Sequence, residues 1–168
     1  MTAPPAPDAP LRVHAKRIAV GDDDLPDDRF SDHVNNARYF AFINLTFREW
    51  YVAMGIRGGI PGRTAVMARV EYDFLREVKP PGWIECRIET VRVGRTSLEH
   101  AVEIRDLGRD GDGPPRLAGR GRVIHVWVDR ASGAALPWPA DLVARCRPLD
   151  AASGATGPVD GTGTGAAG

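Results

Sequence analysis

Apolar and polar positions along the chain follow two different periods. From Ala37 to Met54, Tyr39, Phe40, Phe42, Ile43, Leu45, Phe47, Trp50, Tyr51 and Met54 spread around most of a helical circumference. A helix apolar nearly all round is a buried one. Asn35 or Asn36 is placed to cap its start, and Gly55 follows its last residue, where a C-terminal glycine is expected. Before it, Leu11–Val20 reads as a strand. After it the period falls to two. Val66, Ala68, Val70, Tyr72 and Phe74 alternate with Met67, Arg69, Glu71 and Asp73, and Ile84, Cys86 and Ile88 alternate with Glu85, Arg87 and Glu89. Leu98, His100, Val102 and Ile104 share a face, and Leu117–Asp129 is a last long strand. Pro80-Pro81-Gly82, Gly94 and the run Asp110–Pro115 supply the turns.

One buried helix followed by antiparallel strands predicts an α+β domain, with a single antiparallel sheet wrapped around one long buried helix. Such a sheet leaves strand edges uncovered, and these predict pairing between subunits. Residues 1–10 are rich in Pro and Ala, and residues 151–168 hold almost nothing able to enter a core. Both are expected to be disordered, leaving one domain over residues 11–150.

Composition narrows the function. Lys plus Arg and Asp plus Glu are 22 each, which argues against broad contact with nucleic acid. The cysteines, Cys86 and Cys146, lack metal-ligand spacing and are expected to be reduced thiols. No apolar run approaches the roughly 20 residues of a membrane span, and the first residues show no secretory pattern, so a cytoplasmic protein is expected. His14, His100 and His125 read as ordinary strand residues. No His/Asp/Glu set shows metal spacing along the chain, and no P-loop or Gly-x-Ser-x-Gly segment occurs. Neither metal nor cofactor is expected.

The most informative segment is Asp32-His33-Val34-Asn35-Asn36-Ala37-Arg38-Tyr39-Phe40, at the start of the helix. Asp22, Asp23, Asp24, Asp27, Asp28 and Asp32 crowd the loop before it. A helix start offers free N–H groups and the positive end of the helix dipole, donors suited to a developing oxyanion. A neighbouring Asp can act as base or nucleophile.

His33, Val34, Asn35, Asn36 and Tyr39 resemble the helix start of the hotdog-fold acyl-CoA thioesterases of the 4-hydroxybenzoyl-CoA thioesterase type, which carry a pattern like Asp-x-Asp-x-x-Gly-His-Val-Asn-Asn-x-x-Tyr. Glu71–Leu75, Val93–Ser97 and Gly121–Asp129 followed by Leu136-Pro137 resemble later family segments, so the similarity covers about residues 11–140. It implies a hotdog fold and hydrolysis of an acyl-CoA to free acid and CoA by a homodimer or homotetramer. It also implies oxyanion donors around Asn35 and Asn36, a supporting His33, substrate contact at Tyr39, and Ser97 near the site, across a subunit interface in some members.

The chain departs from the family at the catalytic acid. The position four residues before His33 is Arg29, and Asp32 replaces the usual glycine. A one-residue insertion brings Asp28 into register, whereas a longer one makes Asp22 and Asp24 the family pair. Asp28 and Asp32 are the candidate carboxylates. Arg92 and Arg95, with Arg120 or Arg122, are candidates for the phosphates of CoA. The other readings are an acyl-ACP thioesterase, a hotdog dehydratase, or a non-catalytic acyl-CoA-binding member.

Overall fold

The computed structural model describes residues 10–26, 31–56 and 60–147. Asp27, Asp28 and Arg29, and the two terminal segments expected to be disordered, save Pro10, lie outside the described residues. The elements run β1 (Val13–Val20), a 3-10 turn (Asp22–Asp24), α1 (Asn36–Ala53), β2 (Arg63–Phe74), β3 (Gly82–Val93), β4 (Ser97–Gly108), β5 (Arg116–Asp129) and α2 (Ala140–Cys146). The strands form one sheet in the order β1-β3-β4-β5-β2, with antiparallel neighbours throughout. α1 links β1 to β2 and thereby crosses from one edge of the sheet to the other.

The alternation in β3 and β4 buries the expected residues. Ile84, Cys86 and Ile88 of β3 and Leu98, Val102 and Ile104 of β4 meet Tyr39, Phe42, Ile43, Phe47 and Trp50 of α1 in one core. Each such side chain contributes on the order of 1.5–3 kcal/mol when taken out of water. The Trp50 indole N–H donates to the Leu11 carbonyl at 2.7 Å, which anchors the chain leading into β1. On its other side α1 leaves Phe40, Leu45 and Val52 exposed, since the sheet of a single chain reaches only one face of the helix. Gly55, at φ 82, ends the helix in the left-handed region that suits glycine.

In β2 the period-two reading breaks. A bulge between Met67 and Arg69 takes Ala68 out of register with β5. Before it Ala65 and Met67 pack against the core, and after it Val70 and Tyr72 do, while Val66 is exposed. One extra residue flips the phase of a strand. Opposite the second half of β2, Gly119 and Gly121 of β5 clear space for the Tyr72 ring. A Cβ on Gly119 would lie 2.4 Å from its hydroxyl oxygen, and one on Gly121 2.2 Å from the Glu71 carbonyl.

The two cysteines are free and buried, and burial pushes both thiols up to about 11. Two of the strand histidines are also interior. His100 and His125 lie with ring centroids 5.5 Å apart, against Phe47. Desolvation lowers them to about 3 and about 4, so both are neutral at physiological pH. α2 was not expected from the sequence. It seats Leu142 and Cys146 in the core, and Arg145 donates to the Ala53 carbonyl at the end of α1.

Candidate active site

Four hydrogen bonds fix the segment that carries the motif. The Val34 N–H donates to the Val78 carbonyl and the Asn35 N–H to the Asp24 carbonyl, each at 2.8 Å. The Asn35 side chain caps α1 by accepting from the Ala37 N–H at 2.9 Å, and the Asn35 carbonyl accepts from the Arg38 N–H. Of the backbone donors at the helix start, the Asn36 N–H is left without a partner among the described residues. The two asparagines thus divide the work that the sequence assigned to either: Asn35 is the cap, and Asn36 presents the orphan donor at the positive end of α1.

Asn36 opens onto a cleft of about 200 Å³ that it lines with His33, Tyr39, Phe74, Leu75, Arg76 and Glu77. Tyr39 is buried, with its ring 5.2 Å from that of Phe74 and 5.9 Å from that of Tyr72. Burial raises its hydroxyl above the usual range, so it stays protonated. A second cleft adjoins the first through Arg76 and Glu77 and adds Lys79, Asp106, Arg109 and Arg116. Arg116 is paired with Asp106 at 2.7 Å, whereas Arg76 and Arg109 have no ion-pair partner among the described residues.

The acidic residues are divided among different tasks. Asp24 is buried: Oδ1 accepts from Arg38 and Oδ2 from the Gly21 N–H at 2.9 Å. Asp32 is exposed, and its Oδ2 lies 2.6 Å from Lys79. That hydrogen bond from the ammonium holds the Asp32 carboxyl below the usual range. Glu77, which the sequence reading passed over, stands 3.9 Å from His33 Nδ1. Asp32, His33 and Glu77 each offer one potential metal-ligand atom within 4.8 Å of the others. Spacing along the chain could not show this, because Glu77 arrives from the loop after β2. In its present arrangement the Lys79 ammonium already neutralises the Asp32 carboxylate.

The remaining candidates sit elsewhere. Arg92, Arg95 and Ser97 flank the turn between β3 and β4, where the Trp138 side chain donates to the Thr96 carbonyl. The helix start lies at the other end of β3, beside Val78. Along the 12 residues of β3 that separation is roughly 35–40 Å. Arg122 is paired with Glu99. A single chain therefore brings His33, Asn36 and Tyr39 into one cleft, with Asn35 beneath them and Asp32 at the rim, and leaves Arg92, Arg95 and Ser97 remote.

A five-stranded antiparallel sheet packed on one long helix is the hotdog arrangement, and at the helix start Asn36, whose N–H has no partner among the described residues, lines a cleft. The chain belongs to the thioesterase-like superfamily, which it matches over residues 22–146. It is 27% identical to YsmA of Bacillus subtilis (strain 168) over 115 residues, which are 66% of this chain and 74% of YsmA. Among solved structures it superposes on the PA2801 protein of Pseudomonas aeruginosa with a TM-score of 0.69 at 24% identity, covering 78% of this chain and 95% of that one. It also superposes on a mutant 4-hydroxybenzoyl-CoA thioesterase complexed with 4-hydroxybenzoyl-CoA, with a TM-score of 0.67 at 14% identity, covering 81% and 99%.

Proposed function

We propose that the protein hydrolyses acyl-CoA thioesters to a free acid and CoA. The observation that carries this reading is Asn36 at the start of α1, which lines the cleft with His33 and Tyr39 and whose N–H has no partner among the described residues. A thioester carbonyl accepting from that N–H is polarised, and the tetrahedral oxyanion formed on attack is stabilised more than the ground state. One such donor is typically worth on the order of 10²–10³ in rate. The acidic residues before the helix, Asp28 and Asp32, are the carboxylates first suggested by the sequence. The second cleft supports CoA as the carrier. Its unpaired Arg76 and Arg109 are suited to the phosphates of a nucleotide whose thioester end enters beside Asn36. The bound 4-hydroxybenzoyl-CoA of the related thioesterase supports the same carrier.

The active form in this reading is a homodimer, with a tetramer as a further stage, in the cytoplasm. Among the described residues β2 pairs only with β5, and Val66, Phe74 and Leu75 are exposed along or beside it. Antiparallel pairing of two β2 edges would carry the partner's Arg92, Arg95 and Ser97 toward the helix start of the first chain. No helix among the described residues is long and apolar enough to cross a membrane.

The test is release of free thiol from a panel of acyl-CoAs of increasing chain length, with acyl-ACP in parallel. Turnover of acyl-CoA supports the reading. Turnover of acyl-ACP alone moves the carrier, and tight binding without turnover makes the protein a non-catalytic member.

A further inference from the structure

We infer that Glu77 is the general base of the reaction; the inference rests on the thioesterase reading above. Asn36, the proposed oxyanion donor, shares its cleft with a single carboxylate among the described residues, that of Glu77. Among the described residues, Asp24, Asp32 and Glu71 are committed. Asp24 is buried and engaged by Arg38 and the Gly21 amide. Asp32 is held by Lys79, and a carboxylate so stabilised is a weaker base. Glu71 is paired with Arg69. Glu77 stands 3.9 Å from His33 Nδ1, and although it feels the charge of Lys79, that ammonium is hydrogen-bonded to Asp32. Its side chain is 61% exposed, so water has access to it. Phe74, Leu75 and Tyr39 form an apolar wall on which an acyl group can rest.

The step balances without a co-reactant. A water between the Glu77 carboxylate and the thioester gives a proton to the carboxylate as its oxygen bonds to the carbonyl carbon. The carbonyl π electrons move to oxygen, facing the Asn36 N–H. The tetrahedral intermediate then collapses, the C–S bond breaks, and the departing thiolate takes the proton from Glu77. Acid and CoA leave, and the carboxylate is restored.

The experiment compares full-length wild type with E77Q, E77D, D28N and D32N, measuring kcat and KM on one short and one long acyl-CoA across pH. General-base help is worth about 10²–10⁴ in rate. E77Q should therefore lose at least about 100-fold in kcat with KM little changed, and E77D should recover part of it. The acidic limb of the wild-type kcat/KM profile should disappear in E77Q, which a merely structural change would not produce. Turnover by E77Q within about threefold of an active wild type overturns the assignment. So does an equal loss confined to D28N. Loss of wild-type activity on chelation, restored by zinc, would recast Glu77 as a metal ligand and also overturn it. A wild type inactive on every acyl-CoA and on acyl-ACP brings down the thioesterase reading and this role together, a pattern distinct from an active enzyme indifferent to E77Q.

Discussion

Arg38 Nη2 lies 2.6 Å, and its Nε 2.7 Å, from Oδ1 of the buried Asp24, so the first turn of α1 is bolted to the 3-10 turn that precedes the motif. The Asp24 carbonyl accepts from the Asn35 N–H as well, which leaves Asn36 as the exposed donor. D24A should cost about 1–3 kcal/mol in stability, because it removes a charge-assisted pair and leaves the Gly21 amide without its acceptor. Denaturant unfolding gives the stability, and kcat should fall with it as the helix start loosens. An unchanged unfolding midpoint would show that the contact is dispensable.

The floor of β5 beneath Tyr72 gives a second prediction. A methyl group at Gly121 has no free volume, since backbone, rather than a flexible side-chain tip, stands 2.2 Å from its Cβ. G121A should destabilise the fold by about 1–3 kcal/mol and displace β2, whereas Y72F should be mild. Thermal unfolding of the two variants distinguishes them.

The interior histidines make stability depend on pH. Both folded-state values lie below the ordinary 6.5. Over the window between them the unfolded chain therefore binds protons that the folded chain does not. Stability is complete above about pH 6.5 and falls as pH drops toward about 4, by up to about 1.4 kcal/mol per pH unit for each histidine. Replacing His125 by Phe should flatten the slope between pH 6 and 4. An unaltered slope would assign it to other groups.

Arg76 and Arg109 should be read out in KM. If they hold phosphate, the double change to alanine raises KM for acyl-CoA by about tenfold, leaves kcat nearly constant, and has less effect in high salt. Equal effects on a truncated thioester without the nucleotide would place their role elsewhere.

Val66, like Phe74, is an exposed apolar residue of β2, which pairs only with β5 among the described residues. V66K should shift sedimentation from dimer to monomer through like-charge repulsion and a blocked edge. A wild type that is monomeric at micromolar concentration would refute edge pairing outright.

Much of the fold could be read from local pattern, because a helix with Tyr39, Phe42, Ile43, Phe47 and Trp50 on its sheet-facing side, and strands such as Ile84–Ile88, carry their burial in their period. Local pattern failed where geometry was set from elsewhere. Nothing in the residues around Ala68 announces the bulge, and α2 has too few residues to develop a period. Of the candidate site, the grouping of His33, Asn36 and Tyr39 in one cleft was legible because they lie on one continuous segment. The roles of Asn35 and Asn36 separated only once Asp24 claimed the Asn35 N–H. Glu77, Arg76 and Arg109 reach the same region from β2–β3 and β4–β5 connections, a juxtaposition that only the folded sheet creates.

The length of β3 has a genetic consequence. If Ser97 takes part in turnover, the strand that holds it far from Asn36 in its own chain makes catalysis the property of a pair. Two alleles, one disabled at Glu77 and the other at Ser97, would then complement each other. A mixed dimer carries one cleft with both defects and one with neither, so co-expression would recover activity that each variant lacks alone.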